Sequence, residues 1–277
     1  MPQENNNALQ KEAVTKNFNL AAEGYDNPAQ RYFRISADKM AEVLKPKSGN
    51  RVLDIATGTG MVASAMAQAI LPDGRVQAID LSNGMLDKAL LNFTKLGLTN
   101  IELHEMDAEK LDFKSNYFDC ASCGFGIFFL PNMIDSLKEW RRVLKPNGRL
   151  IFTTFEKSSF GKLISTFIEQ LSEYGINFDT TAERLMEMPT CESYLEKAGY
   201  TDIEINSEQL GYYLASENDW WGIIMNSGLR HFVTQLDATQ FAQFRAKHIA
   251  EVVKLKTDNG IWLDINVIFS MGKKPVE

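Results

Sequence analysis

Three acids and a pair of glycines carry the chemistry that can be read first from this chain. Asp54 ends the apolar stretch "RVLDI", and Gly58 and Gly60 follow it in "ATGTGMVA". With Ala63 these glycines fit the G-x-G-x-x-[GA] spacing of a loop that cradles a dinucleotide's phosphates. Asp80 lies twenty residues beyond Gly60, where an acid would take a ribose hydroxyl. Asp107, in "HEMDAEKL", is a third acid at the end of an apolar run. Taken literally, the loop is a nicotinamide site. A pyrophosphate is a dianion, however, and Asp54 stands only four residues before Gly58. Carboxylates near a phosphate cradle repel its ligand.

S-adenosylmethionine suits the acids better. It has no phosphate; it carries a sulfonium, an ammonium, a carboxylate and a ribose diol. Acids near the cation and the diol are then useful. The helix N-terminus opened after Gly60 can favour the cofactor's carboxylate.

Five stretches occur in a telling order: "RVLDIATGTG", "VQAIDLSNGML", "HEMDAEKLDF", "YFDCASCGFGIF" and "WRRVLKPNGRLIFTTF". In their order and spacing the chain resembles the class I S-adenosylmethionine-dependent methyltransferases. The similarity is greatest to the group (methyltransferase type 11) of the ubiquinone and menaquinone C-methyltransferases. It covers roughly residues 13 to 155, with a weaker echo in "YLEKAGYTDIEI". The resemblance implies a Rossmann-like doubly wound α/β sheet of seven strands, the last antiparallel, with S-adenosyl-L-methionine as cofactor. It also implies roles by position. Ala56, Gly58, Thr59 and Gly60 would form the backbone loop around the methionine part. Asp80 would accept both ribose hydroxyls, with Leu81 and Met85 packing on the adenosine. Asp107 would take the adenine amino group, helped by the Ala108 amide, and Gly124 would lie beside the methionine. Tyr25, in "AAEGYDNPAQR", stands where the family's N-terminal helix covers the cofactor. Ala56 departs from the first glycine of the common G-x-G-x-G loop, a change that quinone-type members tolerate.

The elements that must position these residues alternate in period. Residues 1–8 read as disordered, and 9–44 as helical, with Phe33, Ala37, Met40 and Leu44 on one face. Strands are expected at 51–55, "RVQAID", "NIELHEMD", "YFDCASC" and "RLIFTTF", with helices at 60–71, 83–96 and 132–144 between them. That rhythm means a parallel sheet covered on both faces, with ligands beyond the strands' carboxyl ends. "TDIEIN" is a sixth strand, and "IWLDINVIFSM" reads as one alternating strand through Ile261, Leu263, Ile265, Val267 and Phe269. Two amphipathic helices precede it, the first with Trp221, Met225, Leu229, Phe232 and Leu236 on one face, the second with Phe241, Phe244, Val252 and Leu255. The expected organisation is one domain over 1–277. Its core covers about 45–155 and 200–272, its N-terminal helices 9–44, and its helical lid about 156–199 and 216–257.

Composition narrows the partners. The 277 residues carry a net charge of -7, against a nucleic-acid partner, whose phosphates would call for a basic face. Three cysteines, Cys120, Cys123 and Cys191, are too few for a disulfide scaffold, and the opening "MPQENNN" lacks a signal-peptide pattern, so a cytoplasmic location is expected. Apolar runs are too short for stable membrane insertion. Cys120 and Cys123 form a C-x-x-C without a second pair, and no metal site is expected. The expected reaction is C- or O-methylation of a small apolar or aromatic acceptor, with Trp221, Met225 and Phe232 walling its pocket. Those faces would serve equally as a homodimer interface. No catalytic base stands out; Glu156 and His231 are the candidates. The rival readings are a nucleic-acid or protein methyltransferase, a dinucleotide-dependent oxidoreductase, and a non-catalytic cofactor-binding regulator.

Overall fold

The computed structural model describes residues 2–178 and 187–276. The chain begins with α1 (Pro2–Ala21) and α2 (Tyr32–Leu44), joined by two 3-10 turns at Ala22–Gly24 and Pro28–Gln30. The alternating region follows: β1 (Arg51–Ile55), α3 (Met61–Ala69), β2 (Arg75–Asp80), α4 (Asn83–Leu96), β3 (Ile101–Glu105), β4 (Phe118–Gly124), α5 (Met133–Val143) and β5 (Leu144–Phe155). Then come α6 (Gly161–Ser172), α7 (Met188–Lys197), β6 (Thr201–Gln209), β7 (Tyr212–Leu214), α8 (Glu217–Met225), α9 (Arg230–Val233), α10 (Ala238–Val253), β8 (Ile261–Leu263) and β9 (Asn266–Lys273).

Seven strands form one sheet in the order β3-β2-β1-β4-β5-β9-β6. The first five run parallel, while β9 is antiparallel to both β5 and β6, as the expected architecture requires. Helices cover both faces, so central strands are apolar without alternation: Val52, Leu53 and Ile55 are all fully buried, as are Val267 and Ile268. Local signals set the helices. Ser82 caps α4 by accepting from the Met85 amide, and Gly97, at φ 67, closes it in the left-handed conformation. On α2, Ala37, Met40 and Leu44 are buried against the sheet and Phe33 is half-buried.

Several expectations are corrected. Residues 2–8 belong to α1 rather than to a disordered start. That helix has no continuous apolar face; its later turns are tied down by Lys11, Phe18 and Asn19. The helical stretch 9–44 is interrupted, because Pro28 starts a 3-10 turn capped by Asn27. The first inserted helix is broken into α8 and α9 at 226–229. There the Asn226 amide donates back to the Gly222 carbonyl and the Arg230 guanidinium to that of Met225. The last strand is likewise two. The Leu210 amide takes the Ile265 carbonyl and the Phe160 amide takes that of Asp264, so the ladder stops there. β8 instead pairs with β7 in a separate ribbon framing the insertion. The buried alternation through Ile265 survives the break.

The fifth strand also starts earlier than expected. Between the pairs Phe118↔Leu144 and Cys120↔Arg149, β4 advances two residues and β5 five, so 145–148 bulge out of the ladder. Residues 179–186, part of the expected lid segment 156–199, lie outside the described residues.

Candidate cofactor cleft

The carboxyl ends of β1, β2 and β4 meet beneath α1 in a cleft. Its lining includes Tyr25, Ala56, Gly58, Asp80, Leu81, Met85, Asp107, Ala108 and Gly124, nine of the residues singled out from sequence. Thr59 and Gly60 are not on that surface. The Thr59 hydroxyl donates to Asp26 (2.6 Å), and a Cβ on Gly60 would overlap the Phe93 ring. Both therefore shape the loop from behind.

The loop from β1 to α3 is held by backbone geometry. Ala56, Gly58 and Gly60 all have positive φ, at 53°, 54° and 84°. Ala56 thus keeps the left-handed conformation that a glycine would adopt freely, at a cost of about 1 kcal/mol. The space a Cβ on Gly58 would occupy has nothing within 4 Å, so a ligand can approach this backbone closely.

Asp80 is committed to the loop before any ligand arrives. One carboxylate oxygen accepts from the Gly58 amide (2.8 Å) and the other from the Ser82 amide (2.9 Å). Burial raises its pKa above the usual carboxylate range, with the amides of Ser82, Gly58 and Leu81 pulling the other way. Each oxygen retains a lone pair for a further donor.

Asp54 is fully buried and does not line the cleft. It accepts from the Thr57 hydroxyl (2.6 Å) and the Ser122 hydroxyl (2.7 Å), tying the loop to β1 and β4. Burial pushes its carboxyl up to about 6.

At the far end of the cleft, Asp107 accepts from the Glu109 amide (2.9 Å) and from the Lys11 ammonium (2.6 Å), which also pairs with Glu109. The Ala108 carbonyl is fixed by the Trp140 indole (2.8 Å). Tyr25 stacks on Phe33 at 5.1 Å, and burial raises its phenol's pKa, with Asp80 and Asp26 adding to the shift.

Lys11, Val14, Thr15 and Phe18 of α1 also line the cleft, with Met106, Phe125, Gly126, Phe129 and Leu130. Nothing in the polar run of α1 marks these first four. Asp26 was missed as well; it braces Thr59 and Asn92 together (2.6 and 2.8 Å). The aromatics could have been found, because "GFGIFF" follows β4 directly.

Beside the cleft the aromatics continue. Phe33 meets Phe125 edge-on at 5.3 Å, Phe125 stacks on Phe155 at 4.5 Å, and Phe155, Phe160 and Trp220 follow in sequence. The Trp220 indole donates to His248 Nε2 (2.8 Å), which leaves Nδ1–H to donate to Gln170 (2.8 Å). His248 is held neutral, its pKa pushed down to about 4 by burial.

Trp221, Met225 and Phe232 lie in the helical cap and are not among the cleft-lining residues. Trp221 packs on Phe241 and Phe244, and Phe232 on Phe178 at 4.5 Å. Met225 is half-buried against the core. Glu156 accepts from the Ser207 hydroxyl and His231 is exposed; neither lines the cleft. Cys120 and Cys123 are buried thiols whose pKa values burial raises. Among the described residues, no cluster of three or more His, Cys, Asp or Glu could hold a metal ion, and no helix is long and apolar enough to cross a membrane.

The model of the ubiE/COQ5 methyltransferase family matches residues 6–178. The chain is 32% identical over 144 residues to the aklanonic acid methyltransferase DauC of Streptomyces sp. (strain C5), covering 52% of this chain and 66% of that protein. It is 40% identical over 120 residues to the ubiquinone/menaquinone biosynthesis C-methyltransferase UbiE of Pseudomonas putida (strain GB-1), covering 43% of this chain and 46% of that one. The chain thus spans about half to two thirds of the length of these relatives. A solved SAM dependent methyltransferase from Aquifex aeolicus superposes with a TM-score of 0.52 at 25% identity, over 65% of this chain and 86% of that chain. With the family match extending over more than half its residues, the chain belongs to the ubiE/COQ5 methyltransferase family.

Proposed function

We propose that the protein transfers a methyl group from S-adenosyl-L-methionine to carbon or oxygen of a small, apolar or aromatic acceptor. The observation that carries this is one cleft in which Asp80, Asp107 and the open backbone of Gly58 stand beside Phe18, Phe125 and Phe129, with Phe33 and Phe155 packed against Phe125.

The residues present fit this cofactor. Asp80 would hold the ribose diol, and Leu81 and Met85 the adenosine. Asp107 and the Ala108 amide would take the adenine edge. The backbone of Ala56, Gly58 and Gly124 would enclose the methionine part, with Tyr25 above it and Thr59 and Gly60 holding the loop in shape. When bound, the cofactor supplies a methyl already activated by a sulfonium. The protein's own task is to align the acceptor and exclude water, and orientation of this kind supplies up to roughly 7–11 kcal/mol of a barrier. Phe125 and Phe129, which line the cleft, would provide an apolar wall for the acceptor. Trp221, Met225 and Phe232 belong to the cap on that side; Trp221 and Phe232 would act by holding its shape. The names of DauC and UbiE, with aklanonic acid and quinone biosynthesis in them, support an aromatic acceptor.

Calorimetry tests the cofactor: S-adenosylmethionine and S-adenosylhomocysteine should bind and NAD should not. Incubation with a panel of hydroxylated quinones and anthraquinones should yield methylated product by mass spectrometry. Tight NAD binding without an S-adenosylmethionine signal would refute the proposal, and cofactor binding without turnover on any acceptor would leave a binding protein in its place.

A further inference from the structure

The bulge in β5 builds a second cavity at the opposite edge of the sheet. Its walls come from the loop before β1 (Lys47, Asn50), the start of β4 (Asp119, Cys120) and the bulge itself (Lys145 to Arg149), and it encloses about 400 Å³. That volume is in the range of small-molecule sites, which run from roughly 300 to 1,000 Å³. Asp119 at its floor and Gly124 at the cofactor cleft stand five residues apart on one strand, about 16 Å at the usual rise. The two cavities are separate.

The charge of this pocket runs against that of the chain. Lys47, Lys145 and Arg149 line it with a single carboxylate, Asp119, in a protein of net charge -7. Asp119 is already used: it accepts from the Lys145 ammonium (2.6 Å) and the Arg51 amide (2.9 Å). The Arg149 guanidinium donates to the Lys45 carbonyl (3.1 Å), a neutral partner, and among the described residues no carboxylate pairs with Arg149 or Lys47. The pocket therefore keeps two positive charges that no carboxylate among the described residues pairs with. A concave, low-dielectric wall concentrates such a field on whatever enters.

Hydrogen bonds within the fold shape the walls. Asn50 closes the Lys47 turn in both directions, its side chain accepting from the Lys47 amide (2.8 Å) and its amide donating to the Lys47 carbonyl (3.0 Å). The bulge is pinned to the strand end after β9, with Asn147 donating to the Lys274 carbonyl (3.0 Å) and Lys274 to that of Gly148 (2.9 Å). Asn147 takes the left-handed conformation (φ 63) that this tight path needs and that asparagine tolerates.

We propose that this pocket binds a small polyanion of phosphoryl or polycarboxylate chemistry, apart from the methyl-transfer cleft. Lys47 and Arg149 supply the charge, and Asn50 and Asn147 line the wall beside them. A cavity of this size with two uncompensated cations fits a di- or trianion better than a single monoanion.

The test titrates the whole protein with pyrophosphate and, separately, with citrate, by calorimetry at fixed ionic strength, with and without saturating S-adenosylhomocysteine. Saturable binding at one site is expected, unchanged by S-adenosylhomocysteine, and weakened at least tenfold in Arg149→Gln and in Lys47→Glu. Lys47 lies on an exposed loop, so Lys47→Glu reads charge with little risk to folding, and circular dichroism checks both variants. Tighter binding of pyrophosphate identifies phosphoryl chemistry, and tighter binding of citrate identifies carboxylates. Absence of saturable heat with both anions overturns the proposal, as does equal affinity in wild type and folded Lys47→Glu. Loss of binding on adding S-adenosylhomocysteine would place the anion in the cofactor cleft and overturn it too.

Discussion

Replacing Asp80 by asparagine separates its two duties. The carboxylate accepts from the Gly58 and Ser82 amides at 2.8 and 2.9 Å, one through each oxygen. An amide keeps one acceptor and turns the other into a donor, so one of these N–H groups loses its partner. Leaving a partly buried donor unpaired costs about 1–3 kcal/mol, which should appear as a lower melting temperature in the ligand-free protein. The same change removes one acceptor for the ribose diol, and a hydrogen bond to a charged group contributes about 1.5–3 kcal/mol. At roughly 1.36 kcal/mol per factor of ten, S-adenosylmethionine should bind ten- to a hundredfold more weakly. Calorimetry on Asp80→Asn, with circular dichroism to establish folding, measures both quantities. A dissociation constant within twofold of wild type in the folded variant would refute the ribose assignment. If stability alone falls, the carboxylate is a brace for the glycine loop and nothing more.

Two further outcomes follow from the geometry. Gly60→Ala should destabilise the fold and weaken cofactor binding together, since its left-handed φ of 84° disfavours any side chain and the new methyl would overlap Phe93; a melting temperature equal to wild type would contradict that crowding. His248 makes acid stability measurable. Its folded pKa, near 4, lies below the unfolded value of 6.5, so the unfolded chain takes up the proton first and stability is lost as pH falls through that window. Asp54, raised to about 6, opposes this by binding its proton earlier in the fold, so the comparison should be with His248→Gln rather than wild type alone. The stability advantage of wild type over the variant should shrink by up to about 3 kcal/mol between pH 7 and pH 4, and a constant gap would show that the imidazole is not held neutral.

Much of the architecture was legible because local and global signals agreed. Helix α4 is read from sequence with its observed bounds, since Ser82 caps one end and Gly97 closes the other. The parallel strands are short apolar runs between turn residues, and nine expected cofactor contacts converge on one cleft. What escaped notice depends on partners far away in the chain. Lys11 lines the cleft and pairs with Asp107, while Asp26 braces the glycine loop from behind through the Thr59 hydroxyl; neither bond leaves a periodic trace. The breaks at 226–229 and at 264–265 were hidden for the opposite reason. Helical and alternating periodicities persist across them, while the backbone carbonyls are taken by Arg230, Leu210 and Phe160. Trp221 and Phe232 carried the right pattern for a wall, yet the same pattern serves the interior of the cap.

The position of α1 has a kinetic consequence. With Lys11, Val14, Thr15 and Phe18 in place the cleft offers only about 100 Å³, well short of the roughly 300 Å³ at which small-molecule sites begin. On the proposed function, S-adenosylmethionine would enter and its demethylated product would leave past the same helix. The contacts that hold α1 down are partly exposed and include the Lys11 pairing with Asp107 and Glu109, Asn19 Oδ1 accepting from the Ser82 hydroxyl and the Gly84 amide, and Phe18 against Tyr25 and Phe129. On the proposed function, exchange of the cofactor would therefore call for the first helix to lift and settle again. Were the transfer itself fast, that movement would limit turnover, as lid opening does in many enzymes.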